Sequence, residues 1–327
     1  MKLRQWGLSA AFGAAVVLLA VSYGGAGGYV QAIKSGEIRS AMLLTDNEEA
    51  LRTEIKQEAE KRYIPPVDAK VDRWFRAIPG YDGREVDIEA TYRQAKLRPD
   101  APVQYVYKAV KPKVSVEDYP LEPVYRGNPA KPAASFMINV AWGNEYLEPM
   151  LATLDRYGVK ATFFLDGSWL KKYPEEARKI QAAGHEISNH AYSHPDMSKL
   201  GMEQQTSQIT RTEQLLKDTL GASNRLFAPP SGSYNASTIK AARAQGLRTV
   251  MWTLDTVDWR KPSPGSVVDK IARGIGPGSL ILMHPTASSR DALEGMIKAA
   301  KRKGLLLVPV SETISEERIE APVEAKP

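Results

Sequence analysis

The run Phe136-Met137-Ile138-Asn139-Val140 is the first of seven short apolar segments that alternate with helical periodicity up to residue 314. The other six segments cover residues 160–165, 185–188, 226–228, 249–254, 280–283 and 305–310. Strands and helices that alternate through short connections require parallel strands with helices on the outside. Seven such units predict an α/β barrel or incomplete barrel, and an open doubly wound sheet is the runner-up.

Histidines mark one end of this predicted barrel. Of the four histidines in the chain, His190 and His194 follow one predicted strand and His284 ends another. Active sites of such barrels form at the carboxyl ends of the strands. Neutral imidazole is a common zinc ligand, and histidine also transfers protons near neutral pH. The pattern predicts a metal-assisted hydrolase, whereas His185 begins a strand and is predicted to be structural or exposed.

Carboxylates and aromatic residues also follow predicted strand ends. Asp255 and Asp258 come after residues 249–254, and a carboxylate there could orient His284 and tune its charge. Ser231 lies in a Pro-Pro-Ser-Gly turn before a helix, where backbone amides could stabilise an oxyanion. Loop capping and a rigid connection are the alternative interpretations of these two segments. The candidate sugar-stacking residues are Trp142, Trp169, Trp252, Trp259 and Tyr234, each of which, taken singly, is more typical of a core position.

Composition limits the compartment and the partners. The net charge is +6 and the basic residues are spread along the chain, which favours an anionic cell wall or membrane surface and predicts no nucleic-acid partner. Cysteine is absent, which excludes disulfides and a thiol nucleophile. Lys2 and Arg4 precede an apolar stretch, so residues 1–33 are predicted to be a signal peptide or membrane anchor. We therefore expect an extracytoplasmic protein, either secreted or tethered at the cell surface.

The remaining chain is predicted to have three parts. They are a small N-terminal α+β module and linker at residues 34–127, a catalytic domain at residues 128–315 and a polar tail at residues 316–327. The charged residues 37–62 contain no glycine or proline and are predicted to form an exposed helix. Short alternating runs with turns follow them and indicate a β-rich portion of the module.

The motifs, in this order, resemble the polysaccharide deacetylases of carbohydrate esterase family four over about residues 135–314. The residues that carry the resemblance are Val159–Phe164, Gly184–His194, Asp255–Trp259 and Leu280–His284. The resemblance implies a distorted (β/α)7 barrel and metal-dependent hydrolysis of N-acetyl groups on an N-acetylhexosamine polymer such as peptidoglycan or chitin. Within this family, the chain resembles the sporulation-associated homologues of Gram-positive bacteria.

The resemblance also implies roles for individual residues. His190 and His194 would hold a divalent metal, most commonly zinc, which polarises the acetamide carbonyl and activates water. His284 would protonate the departing amine, Asp258 would tune His284, and the backbone amide of Ser231 would lie near the oxyanion. The predicted substrate-binding residues are Trp142, Tyr234, Trp259 and Asp255.

The first family motif is altered in this chain. The family carries Thr-Phe-Asp-Asp-Gly, which supplies the base and a third metal ligand, whereas this chain has Asn139-Val140-Ala141-Trp142-Gly143. Ala228 likewise replaces the arginine that holds the base. Two histidines are too few ligands for a usual zinc site, and loss of a general base typically costs ~10²–10⁴ in rate. The candidate substitute carboxylates are Glu145, Asp166 and Asp255, and their spacing favours none of them.

Two main functions follow from this altered motif. The first is an exported, metal-dependent peptidoglycan or chitin-like de-N-acetylase with weak or unconventional chemistry. The second is a degenerate homologue that binds cell-wall glycan without turnover. A structural partner of an envelope assembly that docks through residues 34–127 is a third, less supported function. The first two require the three histidines to meet at one end of the barrel.

Overall fold

The computed structural model describes residues 47–319, so the predicted signal peptide or anchor at residues 1–33 lies outside the described residues. The described chain forms two compact units, a smaller one of residues 47–63 and 85–108 and a larger one of residues 64–84 and 109–319. Between residues 47 and 319, no helix is long and apolar enough to cross a membrane.

The elements are numbered in chain order. The helices are α1 at residues 47–62, α2 Ile88–Lys96, α3 Asn144–Arg156, α4 Gly167–Lys172, α5 Pro174–Ala182, α6 Met202–Leu220, α7 Ala236–Ala244, α8 Pro264–Gly274, α9 Ala287–Arg302 and α10 Val310–Ile314. The strands are β1 Lys70–Asp72, β2 Arg76–Ile78, β3 Gly83–Val86, β4 Tyr107–Val110, β5 Ala133–Val140, β6 Thr162–Leu165, β7 Glu186–Asn189, β8 Leu226–Phe227, β9 Arg248–Thr249, β10 Leu254–Asp255, β11 Ser279–Met283 and β12 Leu306–Leu307.

The smaller unit has its own apolar core. Its buried side chains are Ile55 of α1, Val86 of β3 and Tyr92 of α2. Partly buried residues, including aromatic ones, pack against them. The side chain of Asp87 accepts a hydrogen bond from the backbone amide of Ala90, which satisfies a free donor at the start of α2. The described part of the predicted helix over residues 37–62 is helical, as α1.

The larger unit is built on one curled sheet of parallel strands, as the sequence predicts. Seven strands follow one another in the order β10-β11-β5-β6-β7-β8-β9, and β12 also pairs with β5. β9 and β10 are the two ends of this order, so the barrel is incomplete rather than closed. From β5 onwards, every connection between consecutive strands except that between β9 and β10 contains a helix, and apolar faces of these helices form the core outside the sheet.

The opening in the barrel lies where the sequence predicts one continuous strand at residues 249–254. The first part of that run is β9, which pairs with β8, and the last part belongs to β10, which pairs with β11. Between them the backbone changes partner: Met251 donates to the carbonyl of Val124, and Thr253 donates to the carbonyl of Leu280. The prediction of a single strand here was wrong because an apolar run carries no sign of a change of neighbour.

The last strand also differs from the prediction of a strand over residues 305–310. Only Leu306 and Leu307 pair with the sheet, and they pair with Ala133 and Ala134 at the beginning of β5. β11 occupies the opposite edge of β5. β12 therefore shares one edge of β5 with β6 and does not close the barrel between β9 and β10.

Alternation along the strands decides which side chains face the interior. In β5, Ile138 and Val140 belong to the outer core under the helices, whereas Met137 belongs to the inner core. In β6, Leu165 belongs to the outer core and Phe164 to the inner core. We call the end of the barrel at which the carboxyl ends of the strands lie its mouth. A residue just after a strand that continues the inward-facing series of that strand therefore faces the mouth.

Candidate functional site

Three neighbouring strands place their next residues side by side at the mouth. β5, β6 and β7 are in register up to their last residues. The following residues are Ala141, Asp166 and His190, and each of them continues the inward-facing series of its strand. Ala141 thus stands in line with a buried carboxylate and a buried histidine.

The three predicted histidines meet at this mouth, and Trp142 lies among them. The ring centroids of His190 and His194 are 5.2 Å apart. The indole of Trp142 stacks on His284 at 5.4 Å with an interplanar angle of 14°, and meets His194 edge-on at 6.0 Å. Trp142 therefore joins His284 to the histidine pair.

A cavity of about 360 Å³ opens at this mouth. Most of its wall is aromatic, which suits the apolar faces of sugar rings. The lining residues are Asn139, Trp142, His194, Ser231, Trp252, Asp255, Trp259, Leu282 and His284.

His190 is fully buried beside the cavity. Its Nδ1 lies 2.8 Å from the carbonyl oxygen of Ala228 and donates to it, while Nε2 has no hydrogen-bond partner among residues 47–319. Burial, reinforced by the neighbouring His194, lowers the pKa of His190 to about 3. Near neutral pH this imidazole is uncharged, and its Nε2 presents a lone pair.

The loops at the mouth hold several residues in strained conformations. Ala191, His194, Ser231 and Val257 have φ between 54° and 61°, a region that non-glycine residues rarely adopt. Each such residue typically costs of order 1–3 kcal/mol and persists only where the surroundings require it. The backbone at the mouth is therefore held in a specific shape.

His284 and Asp258 form the most extensively bonded pair of the site. Asp258 is fully buried and accepts hydrogen bonds from the backbone amide of His284 at 2.6 Å and from its Nδ1 at 2.8 Å. The hydroxyl of Ser289 also donates to the Asp258 carboxylate. Burial alone would raise the pKa of Asp258, but these hydrogen bonds outweigh it and lower the pKa. Asp258 thereby fixes the orientation of the His284 ring.

The residues of the mouth do not fit a usual metal site. Within the described residues, no group of three or more His, Cys, Asp or Glu side chains is arranged to hold a metal ion. Glu145 is exposed on α3, and Asp255 lines the cavity but accepts from the amide of Val257. Asp166 is 1% exposed, and one of its oxygens caps α4 by accepting from the amide of Trp169. The histidine pair therefore lacks a third protein ligand.

The other predicted site residues are divided between the cavity and its surroundings. Ser231, Trp252 and Trp259 line the cavity. Tyr234 is not among the lining residues, and its hydroxyl is 2.9 Å from that of Tyr125.

Two further residues are structural. Trp169 packs in the outer core and donates from its indole nitrogen to Asn144, which agrees with its interpretation as a core residue. His185 is buried, accepts from the amide of Ala161 and stacks near Phe163, which agrees with its structural interpretation.

Asn139 is a cavity residue that the sequence analysis did not single out. It lies on β5, is 3% exposed, and its Oδ1 has no hydrogen-bond partner within residues 47–319. The signal was present in the sequence, because Asn139 is the only polar residue in the apolar run of residues 136–140.

Comparisons with known proteins agree with this fold and site. The sequence profile of the polysaccharide deacetylase family matches residues 126–250. The uncharacterized protein YlxY of Bacillus subtilis is 41% identical over 292 residues, which are 89% of this chain and 90% of that protein. A peptidoglycan-N-acetylglucosamine deacetylase of Bacillus cereus is 36% identical over 169 residues, which cover 50% of this chain and 62% of that enzyme.

A solved structure extends the comparison to the fold. The wild-type pseudoenzyme of carbohydrate esterase family four (CE4) from Bacillus anthracis superposes with a TM-score of 0.75. It is 39% identical, and the match covers 82% of this chain and 96% of that one. The incomplete parallel barrel and its histidine-lined mouth define a carbohydrate esterase fold. The chain belongs to the polysaccharide deacetylases of family CE4.

Proposed function

We propose that the chain binds cell-wall glycan in the 360 Å³ cavity without hydrolysing it. The position of Trp142 carries this proposal. Its indole stacks on His284 and contacts His194, where hydrolysis needs a carboxylate ligand and a base. Trp142, Trp252 and Trp259 instead offer aromatic surface to sugar rings.

Two further observations support binding without turnover. Ala141 has no proton-accepting group, although it faces the mouth beside His190. The loops that carry His194 and Ser231 hold strained conformations, which are costly unless the shape of the mouth serves a ligand. Similar proteins include a CE4 pseudoenzyme, and a mutant of such a pseudoenzyme is described as having restored enzymatic activity.

A protein that binds cell-wall glycan has to work where that glycan is located. The similar deacetylase of Bacillus cereus acts on peptidoglycan, so we propose that this chain works outside the cytoplasm at the cell wall. Export by residues 1–33 and a sporulation-associated role remain parts of this proposal.

De-N-acetylation is the second candidate, favoured by the intact pair of His284 and Asp258. Metal analysis of the purified protein, combined with acetate release from N-acetylglucosamine oligomers, separates the two candidates. We expect no bound metal and no acetate. Metal-dependent acetate release by the unmodified chain would replace the binding proposal with hydrolysis.

The substitution Trp142→Ala is expected to weaken binding to purified peptidoglycan about 30-fold, which corresponds to about 2 kcal/mol for a central aromatic anchor. Co-sedimentation with insoluble peptidoglycan measures this loss. Trp74→Ala is the matched control, because Trp74 is 73% exposed and does not line the cavity. Equal sedimentation of the Trp142→Ala variant and the unmodified protein would show that the cavity is not the binding site.

A further inference from the structure

Three buried hydrogen-bond acceptors at the mouth of the barrel have no partner among the described residues. They are Asn139 Oδ1, Asp166 Oδ2 and His190 Nε2. All three side chains are at least nine-tenths buried, with exposed fractions of 3%, 1% and 0%. Buried polar atoms normally have a partner, so three unpartnered acceptors at one mouth indicate a ligand that donates hydrogen bonds.

Strand register brings these acceptors together. Asp166 and His190 are neighbours on the rung that follows the ends of β6 and β7. Asn139 lies on β5, two residues before the rung position Ala141 and on the same face of the strand. Asn139 lines the cavity, and Asp166 and His190 follow the two strands next to β5 at the same mouth.

The electrostatic environment favours a cation. Asp166 stands at this mouth with one carboxylate oxygen that has no partner among the described residues. Asp255 places a carboxylate in the cavity wall, and none of the described residues that line the cavity is Lys or Arg. The faces of Trp142, Trp252 and Trp259 also attract cations. A buried carboxylate with one free oxygen is stabilised when a cation pairs with it.

We propose that the cavity recognises a glycan unit whose amino group is free, a hexosamine ammonium, in preference to the N-acetylated unit. An ammonium has three N–H donors and one positive charge, which match the unpartnered acceptors and the carboxylate of Asp166. An acetamide has only one N–H donor and no charge, and its carbonyl oxygen is a further acceptor. The inference rests on the proposed glycan binding. A free amine is the product of N-acetyl hydrolysis, so the protein would bind glycan that a deacetylase has already modified.

Three β-1,4-linked tetramers of equal length test this inference, because they differ only in the amino, acetamido or hydroxyl group at carbon 2. Isothermal titration at slightly acidic pH keeps the amine charged. We expect the amino tetramer to bind at least about 10-fold more tightly than the other two, the effect of one charged hydrogen bond. Non-specific electrostatic attraction does not produce this order of affinities, because the chain carries a net charge of +6 and repels a cationic oligomer.

The variant Asp166→Asn is expected to lower affinity for the amino tetramer about 10-fold and to leave affinity for the acetamido tetramer unchanged. Asparagine retains the ability to cap α4, so the fold is preserved. Asp82→Asn is the matched control: Asp82 is 2% exposed with an unpartnered Oδ1, but it pairs with Lys111 and does not line the cavity. It should change neither affinity.

The outcomes separate this inference from the function on which it rests. If the acetamido tetramer binds best and Trp142→Ala abolishes that binding, glycan binding stands and the preference for a free amine is overturned. If the hydroxyl tetramer equals the amino tetramer, or if Asp166→Asn keeps the preference, the cation requirement is overturned. Absence of binding by all three tetramers and by peptidoglycan overturns both proposals.

Discussion

The double substitution Ala141→Asp with Trp142→Asp is expected to create metal binding and to raise acetate release from N-acetylglucosamine oligomers by ~10²–10⁴-fold, the usual contribution of a general base. Position 141 faces the mouth on the same rung as His190. Position 142 lies between His194 and His284, at ring distances of 6.0 Å and 5.4 Å in the native chain. A carboxylate at each position would supply the base and the third metal ligand that the histidine pair lacks.

The single substitutions serve as controls for this result. Ala141→Asp alone keeps Trp142 stacked on His284 and adds no ligand at position 142, so it should bind no metal. Trp142→Asp alone should bind metal but lack the base, so its acetate release should stay near background. Metal content by mass spectrometry and acetate release are measured on the same preparations. A folded double variant that binds no metal would show that Ala141 and Trp142 do not occupy the positions of the missing carboxylates.

The sequence predicts the barrel and its mouth because both depend on local patterns. Short apolar runs define the strands, and short connections require them to be parallel. The carboxyl ends of parallel strands share one edge, which places His190, His194 and His284 at the same end of the barrel. Their distances from one another depend on the order of the strands, in which only β5 and β6 lie between β7 and β11.

Features that depend on non-local partners could not be predicted from the sequence. The apolar run at residues 249–254 changes neighbour at Met251, and no local pattern marks this change. Trp169 packs in the outer core because of the way α4 packs, although a tryptophan side chain is equally suited to a sugar site. The spacing of Asp166 did not distinguish it from other substitute carboxylates, since its place beside Ala141 follows from the register of β5 and β6.

Removal of the Asp258 carboxylate by Asp258→Ala is expected to lower the free energy of unfolding by about 3–5 kcal/mol near neutral pH, as for a broken buried pair. The variant leaves the His284 ring and amide and the Ser289 hydroxyl without their acceptor. Asp255→Ala is the matched control. Asp255 is only partly buried and accepts one hydrogen bond, from the amide of Val257, so its loss should cost about 1 kcal/mol.

The effect of Asp258→Ala should also depend on pH. The pKa of Asp258 in the folded protein is lowered from its ordinary value of 3.8. The carboxylate therefore contributes stability above that value, and the contribution is lost as the pH falls below about 4 and through the folded pKa. Urea unfolding of the unmodified chain and of both variants measures the difference across this range. We expect the Asp258→Ala deficit to shrink in acid, because a protonated Asp258 no longer binds its three donors as a charged acceptor. A deficit at neutral pH no larger than that of Asp255→Ala would contradict the assignment of Asp258 as the residue that holds His284 in place.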